Sequence, residues 1–237
     1  MSKESTNIAD NINSIRSKIN QAAKKHLHDI PSINLVAVSK NFGTTEIEIA
    51  INSGCVIFGE NKVTEAKEKW PALKEKYPEI KLHLIGHLQS NKAKEAVKLF
   101  DVIESLDSEK LAEILMEEMK KQNKFLEIFV QVNIGCEEQK SGIDPKNIDQ
   151  FIKKAINDYG LNITGIMCIP PENENPALYF ALLTIIAKRN NLKNISMGMS
   201  GDYEVAIAFG ANFVRIGSAI FGTRKINNTS NSFKIAT

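Results

Sequence analysis

The feature that most restricts what this chain can fold into is a pattern that returns eight times. A short run of β-branched and apolar residues is followed by a turn, then by a polar segment with apolar residues at helical spacing. The runs begin near Asn34 (NLVAVS), Cys55 (CVIFG), Lys81 (KLHLIG), Asp101 (DVIES), Phe125 (FLEIFVQVN), Leu161 (LNITGIMC), Asn194 (NISMGM) and Asn212 (NFVRIG). Their starts lie 18 to 36 residues apart, which leaves room for a helix between most pairs. Alternating strand and helix implies a parallel sheet. Eight units in 237 residues favour a single closed (β/α)8 TIM barrel of the α/β class over an open doubly wound sheet. An open sheet should also carry a glycine-rich dinucleotide fingerprint after its first strand, and Ser39-Lys40-Asn41-Phe42-Gly43 is not one.

The flanks divide the chain into an N-terminal helical arm over 1–30, helical from about 5 to 28, a barrel over 31–224, and a flexible C-terminal tail over 225–237 that is polar and aperiodic. Within the barrel, Thr45 and Glu48 fit a capping box with Ile47, Ala50 and Ile51 on one face. Asp202 fits the cap of a helix whose face is Val205, Ala208 and Phe209, ended by Gly210, and Pro71 should kink or split the helix after the second strand.

Lysine plus arginine number 30 against 28 aspartates and glutamates, so a net charge of +2 argues against a nucleic-acid partner. Three cysteines in no CxxC spacing, Cys55, Cys136 and Cys168, support neither a disulfide framework nor a zinc knuckle and fit a reducing cytoplasm. The N-terminus has no apolar signal region, and the longest apolar stretch, Tyr179 to Ala187, is too short to cross a bilayer, so no membrane partner is expected.

In a barrel of this kind the functional face is the C-terminal end of the strands. Read off the sequence, it presents Lys40, Glu60-Asn61, Gly86-His87, Ser105, Asn133, Cys168, Ser200-Gly201 and Arg215 to Ser218. Lys40 follows Leu35-Val36-Ala37-Val38, the position of a Schiff-base lysine or, equally on position alone, of a lysine snorkelling to solvent. The turns MGMSGD (197–202) and RIGS (215–218) place glycine and serine where following segments offer free backbone N–H groups. Singly each reads as a helix cap; paired on adjacent strands they read as a phosphate cup. Arg215, flanked by Val214 and Ile216, either pairs with a carboxylate such as Glu60 or faces a ring nitrogen. His87 and Asn61 suit either capping or a cofactor contact, whereas Met167 and Met199 read as packing. No HExxH, Ser-His-Asp or Walker A arrangement occurs, and no metal is expected.

The motifs AVSK ending at Lys40, FGEN (58–61), HLIGHLQSNK (83–92), VQVNIGCEEQKSGI (130–143), SMGMSGD (196–202) and VRIGSAIFG (214–222) resemble, in order, those of the pyridoxal phosphate homeostasis protein family. The resemblance implies a barrel like the N-terminal domain of alanine racemase that binds pyridoxal 5′-phosphate (PLP) and has no established enzymatic activity. Carried over by motif, it makes Lys40 the PLP-linked lysine and gives the phosphate to Ser200, Gly201, Gly217 and Ser218. Arg215 would lie by the pyridine nitrogen and Asn61 would line the ring pocket. GENKVTEA departs from the family's common pattern, with Lys62 in place of an aromatic residue, and the segment from Pro170 to Asn191 is shorter than usual. The function implied is storage, buffering or delivery of PLP held as a lysine aldimine, by a cytoplasmic monomer whose partners are PLP and PLP-dependent apoenzymes. The alternatives are a PLP-dependent amino-acid racemase-like enzyme and, from barrel and phosphate cup alone, a phosphosugar aldolase. Against the racemase, only Thr223 to Thr237 follow the barrel, with no room for the second domain that supplies an opposing tyrosine base in alanine racemase.

Overall fold

The structure is a computed structural model that describes residues 3–26 and 32–222. Its strands are β1 (Asn34–Val38), β2 (Ile57–Glu60), β3 (Lys81–Leu84), β4 (Val102–Leu106), β5 (Glu127–Val132), β6 (Ile163–Cys168), β7 (Asn194–Ser196) and β8 (Phe213–Ile216). They pair in parallel and in chain order, and β8 closes on β1 through Asn34↔Phe213 to Ala37↔Ile216. The eight expected strands are therefore present, each starting within two residues of its predicted position. Both faces of these strands are covered, one by the barrel interior and one by helices, which is why each reads as a nearly continuous apolar run.

The outer layer comprises α2 (Thr44–Asn52), α3 (Val63–Lys76), α4 (Ala93–Leu99), α5 (Glu109–Gln122), α6 (Ile148–Asn157), α7 (Pro176–Arg189), α8 (Tyr203–Ala208) and α9 (Ser218–Phe221). The N-terminal helix α1 (Lys3–His26) buries Ile8, Ile12, Ile15, Ile19 and Ala22 against α2, α8 and α9. It is anchored by Asn11 Nδ2 donating to Ile220 O (2.9 Å) and Arg16 donating to Ser53 O (2.7 Å), so it clasps the seam where the last strand meets the first. No described helix is long and apolar enough to cross a membrane. The tail expected over 225–237 lies outside the described residues.

Three local expectations are corrected. Pro71 does not split α3, which continues past it to Lys76; the proline is exposed, so the Lys67 carbonyl deprived of its N–H partner lies on the outer face, where water can serve it. The Thr45–Glu48 capping box is absent: α2 begins after Gly43 with no side-chain cap, and Glu48 instead pairs with Lys76 at 2.6 Å, although Ile47, Ala50 and Ile51 are buried as expected. Asp202 does stand at the N-cap of α8, but its carboxylate turns back to accept from Met199 N (2.6 Å). The buried face of that helix is Tyr203, Ala206 and Ile207, not Val205, Ala208 and Phe209, while Gly210 does end it with φ +97°.

Burial makes two of the three free thiols inert. Cys55 is pushed up to about 11 by burial, against the opposing charge of Arg16, and Cys168 to about 12 by burial, against that of Arg215, whereas Cys136 is exposed. At pH 8 in native protein, a thiol reagent followed by peptide mapping should therefore modify Cys136 rapidly and the other two only after unfolding. Equal labelling of all three would contradict this packing.

Candidate functional site

The C-terminal ends of β1, β2, β7 and β8 surround a cavity of about 560 Å³. Lys40, Asn61, Ser200, Gly201, Arg215, Gly217 and Ser218 all line it, so the structure brings together every residue nominated for binding. Val38, Phe42, Ile85, Ile169 and Met199 supply apolar wall, and Phe42 is stacked on Phe221 with ring centroids 4.9 Å apart.

Lys40 stands in the turn just past β1, half-buried. The turn is held from beneath by Lys69 of α3, whose ammonium donates to Ser39 O (3.1 Å) and Phe42 O (3.2 Å). The same ammonium pairs with Glu65 (2.8 Å) and with the fully buried Glu60 (2.7 Å). Glu60 Oε1 also accepts from Ser39 Oγ (2.7 Å) and Trp70 Nε1 (3.1 Å). A carboxylate this deep needs a cation and donors; Lys69 and Trp70, adjacent on α3, supply the cation and one donor and Ser39 supplies another, while Glu65, one turn earlier, helps to hold the Lys69 ammonium in place. Asn41, next to the lysine, takes the left-handed region at φ 66°, which asparagine tolerates better than most residues.

Asn61 follows β2 and is pressed in place by the loop after β3. A Cβ on Gly86 would lie 2.4 Å from Asn61 O and 2.8 Å from its Cα, so only glycine permits this approach. Asn61 Oδ1 is buried with no donor among the described residues, an unanswered acceptor on a residue that lines the cavity.

The two glycine–serine turns meet across the β7–β8 edge. Gly198 sits at φ +90°, where a Cβ would come within 2.6 Å of Ala206 Cβ, and its carbonyl accepts from Arg215 N at 3.0 Å. Ser200 Oγ accepts from Ala219 N (3.4 Å), tying one turn to the other. Among the described residues, no acceptor is found for the backbone N–H of Ser200, Gly201 or Ser218, and the space a Gly201 side chain would take is open. Free N–H groups, hydroxyls and open space are what an anion requires.

Arg215 is 3% exposed and forms no pair with Glu60. Its NH1 donates to Ser196 Oγ (2.6 Å) and its NH2 to Cys168 O (2.8 Å), with Glu104 Oε2 3.9 Å from NH1. The correction has a simple cause: Glu60 is taken up by Lys69 and Trp70 of α3, whereas Glu104 reaches across the barrel interior to Ser196, the partner of Arg215. His87 does not line the cavity; it is exposed and bonds Asp107 (2.8 Å) and Ser141 (3.2 Å). Lys62 is exposed at the start of α3. Met167 is packed as expected, but Met199 lines the cavity. Sequence reasoning missed Glu104, Ser196 and His83; the available signal was polar residues at inward positions within otherwise apolar strands. Among the described residues no cluster could hold a metal ion.

A profile of the family described as alanine racemase, N-terminal domain, matches residues 6–225. The chain is 34% identical over 235 residues to the pyridoxal phosphate homeostasis protein of Haemophilus influenzae, covering 95% of this chain and 99% of that one. It is similar to PipY of Synechococcus elongatus, whose solved structure has PLP bound: TM-score 0.78, 33% identity, 91% of this chain and 100% of that chain. Alanine racemase of Clostridium difficile shares the fold at TM-score 0.70 and 15% identity, over 94% of this chain and 58% of that chain.

The geometry under Lys40 yields a prediction. Lys69→Met removes the cation from a fully buried carboxylate and should destabilise the protein by ~3–5 kcal/mol. Paired replacement, Lys69→Met with Glu60→Met, should recover part of that loss. Chemical denaturation of both variants measures it, and a loss under ~1 kcal/mol in the single variant would contradict the assignment of Lys69 as the group holding this turn.

Proposed function

The chain belongs to the pyridoxal phosphate homeostasis protein family, and we propose that its cavity holds PLP for storage, buffering or delivery. The observation that carries this is convergence: an amine, two anion-suited turns, an unanswered amide oxygen and a buried guanidinium share one cavity of a size suited to a small cofactor. When bound, PLP supplies an aldehyde with which the Lys40 amine condenses, releasing one water, and from which another amine can displace it. In this reading Ser200, Gly201, Gly217 and Ser218 bind the phosphate, Asn61 lines the ring pocket, and Arg215 donates toward the ring nitrogen. We take the barrel over 31–224 as the binding unit and the arm over 1–30 as a separate element, whose helix α1 is its clasp.

We read the protein as a carrier without catalytic activity. Among the described residues lining the cavity, Lys40 is the one side chain suited to passing a proton; the others are amides, hydroxyls, apolar groups and a guanidinium, which keeps its protons. Its relatives are named homeostasis proteins, which agrees. In this proposal the protein is a cytoplasmic monomer whose recipients are PLP-dependent apoenzymes; the free cysteines agree with the reducing compartment alone.

Lys40→Ala should abolish the visible absorbance of lysine-bound PLP and leave the fold intact. The wild-type protein loaded with PLP should not interconvert L- and D-alanine when chirality is followed by chromatography. Turnover at ~1 s⁻¹ or faster, lost in Lys40→Ala, would replace the carrier with a racemase. Ser200→Ala and Ser218→Ala should each weaken PLP by about 0.5–3 kcal/mol while leaving the unphosphorylated pyridoxal nearly unaffected. Equal weakening of both ligands, read by equilibrium titration, would move the phosphate elsewhere.

A further inference from the structure

Beneath the cavity a chain of buried polar groups crosses the barrel interior from β8 to β3. Arg215 NH1 donates to Ser196 Oγ (2.6 Å), and Ser196 Oγ donates to Glu104 Oε2 (2.6 Å), a residue 92 positions away on the opposite wall. Glu104 Oε1 meets His83 Nδ1 at 2.6 Å. Every member is at most 3% exposed. The His83 ring rests on Phe213 and Phe129, with Val102 and Met167 completing the apolar floor, so the chain is a polar crossbeam between cavity and floor.

We propose that Glu104 is a positioning residue for the ligand: held by His83 and Ser196, it sets the orientation and the effective charge that Arg215 presents to the cavity. This rests on the reading of the cavity as a PLP site. Arg215 alone reaches the cavity; the other three act through it. Two hydrogen bonds, to Ser196 Oγ (2.6 Å) and Cys168 O (2.8 Å), hold the guanidinium, two more at 2.6 Å hold Glu104, and that carboxylate, 3.9 Å from NH1, offsets the Arg215 charge without capturing it directly. A guanidinium directly paired with a carboxylate would have its donors occupied; one with no carboxylate would project a full charge at the ligand. The Ser196 hydroxyl takes one guanidinium hydrogen where a carboxylate fork would take two, which leaves further donors for the cavity and the charge partly compensated.

Electrostatics agree with the geometry. Burial would raise the Glu104 carboxyl, but the His83 hydrogen bond and charge, the Arg215 charge and the Ser196 hydrogen bond together hold it below its ordinary value. The carboxylate is thus retained at neutral pH. The other charged groups near the chain's His83 end are Glu79 and Lys81 of the β3 side and Glu127 of β5, at the lower mouth of the barrel, with Lys81 and Glu127 3.8 Å apart. At the Arg215 end stand Lys40, the neutral Cys168 thiol and Asp202, whose charge acts on that thiol against the charge of Arg215.

The test is a pH titration of the visible band of the PLP-loaded full chain. Glu104→Gln preserves shape and removes the compensating charge, so the more positive Arg215 should lower the midpoint of the band by about one pH unit or more, a roughly tenfold change in the proton equilibrium. Glu104→Asp, which keeps the charge, should bring the midpoint back toward wild type. A structural role alone would lower stability and leave the midpoint in place. The coupling must also be reciprocal. In wild-type protein, loading with PLP should shift the Glu104 carboxyl titration followed by carbon NMR, a measurement that does not depend on any variant folding. A midpoint unchanged in Glu104→Gln, or a Glu104 titration indifferent to PLP, overturns the inference while the PLP site stands. Absence of any visible band in the wild type overturns the PLP reading itself, and the inference with it.

Discussion

A closed parallel barrel has one interior and no free edge, so a charge placed inside it must find its partner inside as well. At the carboxyl end of the strands Arg215 is such a charge, inside the barrel, whereas Glu60 is buried on the helix side of the sheet, and the structure satisfies each on its own side. Glu60 is answered from outside the sheet by Lys69, whose remaining donors fasten the turn that carries Lys40. Arg215 is answered from within, through Ser196 and Glu104 on opposite walls. The two compensations are separate, and their separation explains why both a lysine and an arginine can face one cavity without being drawn to the same carboxylate.

Backbone approach completes the site as much as charge does. Gly86 lets one loop press on Asn61, and Gly198 lets the β7–α8 turn bend at positive φ so that its carbonyl receives the Arg215 amide. The consequence is that Ser200 and Ser218, from two different turns, border the same open space at Gly201. The arm α1 contributes at a distance: it fastens α9, which begins at Ser218, through the Asn11 bond to Ile220 O, and so braces the seam on which the second turn is built. Preorganisation of this kind spares a ligand the entropy of ordering loops when it binds.

How much of this could be read from the residues depended on the range of the interaction involved. The eight strands were legible because double-sided burial writes a continuous apolar run, and the strand ends then placed Lys40, Asn61, the paired turns and Arg215 on one face. Helix termini were read less well. Asp202 satisfies the cap pattern, yet its carboxylate serves Met199 behind it, because a turn bent by Gly198 offers that amide first. Pro71 breaks the local rule without breaking the helix because its freed carbonyl faces water. The partner of Arg215 was beyond local reading altogether: Ser196 and Glu104 are 92 residues apart, and which side chains meet across a barrel depends on its stagger, which no single strand encodes.

The central claim is that Lys40 is the amine through which this cavity holds PLP. The most direct measurement is borohydride reduction of the PLP-treated full chain, followed by proteolysis and mass mapping of every lysine-containing peptide. Reduction makes the lysine–cofactor bond permanent, so the modified residue is identified rather than inferred. The account predicts one equivalent of pyridoxyl label, carried on the peptide containing Lys40 and absent when the protein is unfolded before PLP is added. Label on another lysine, spread over several, or missing from the folded protein would contradict it.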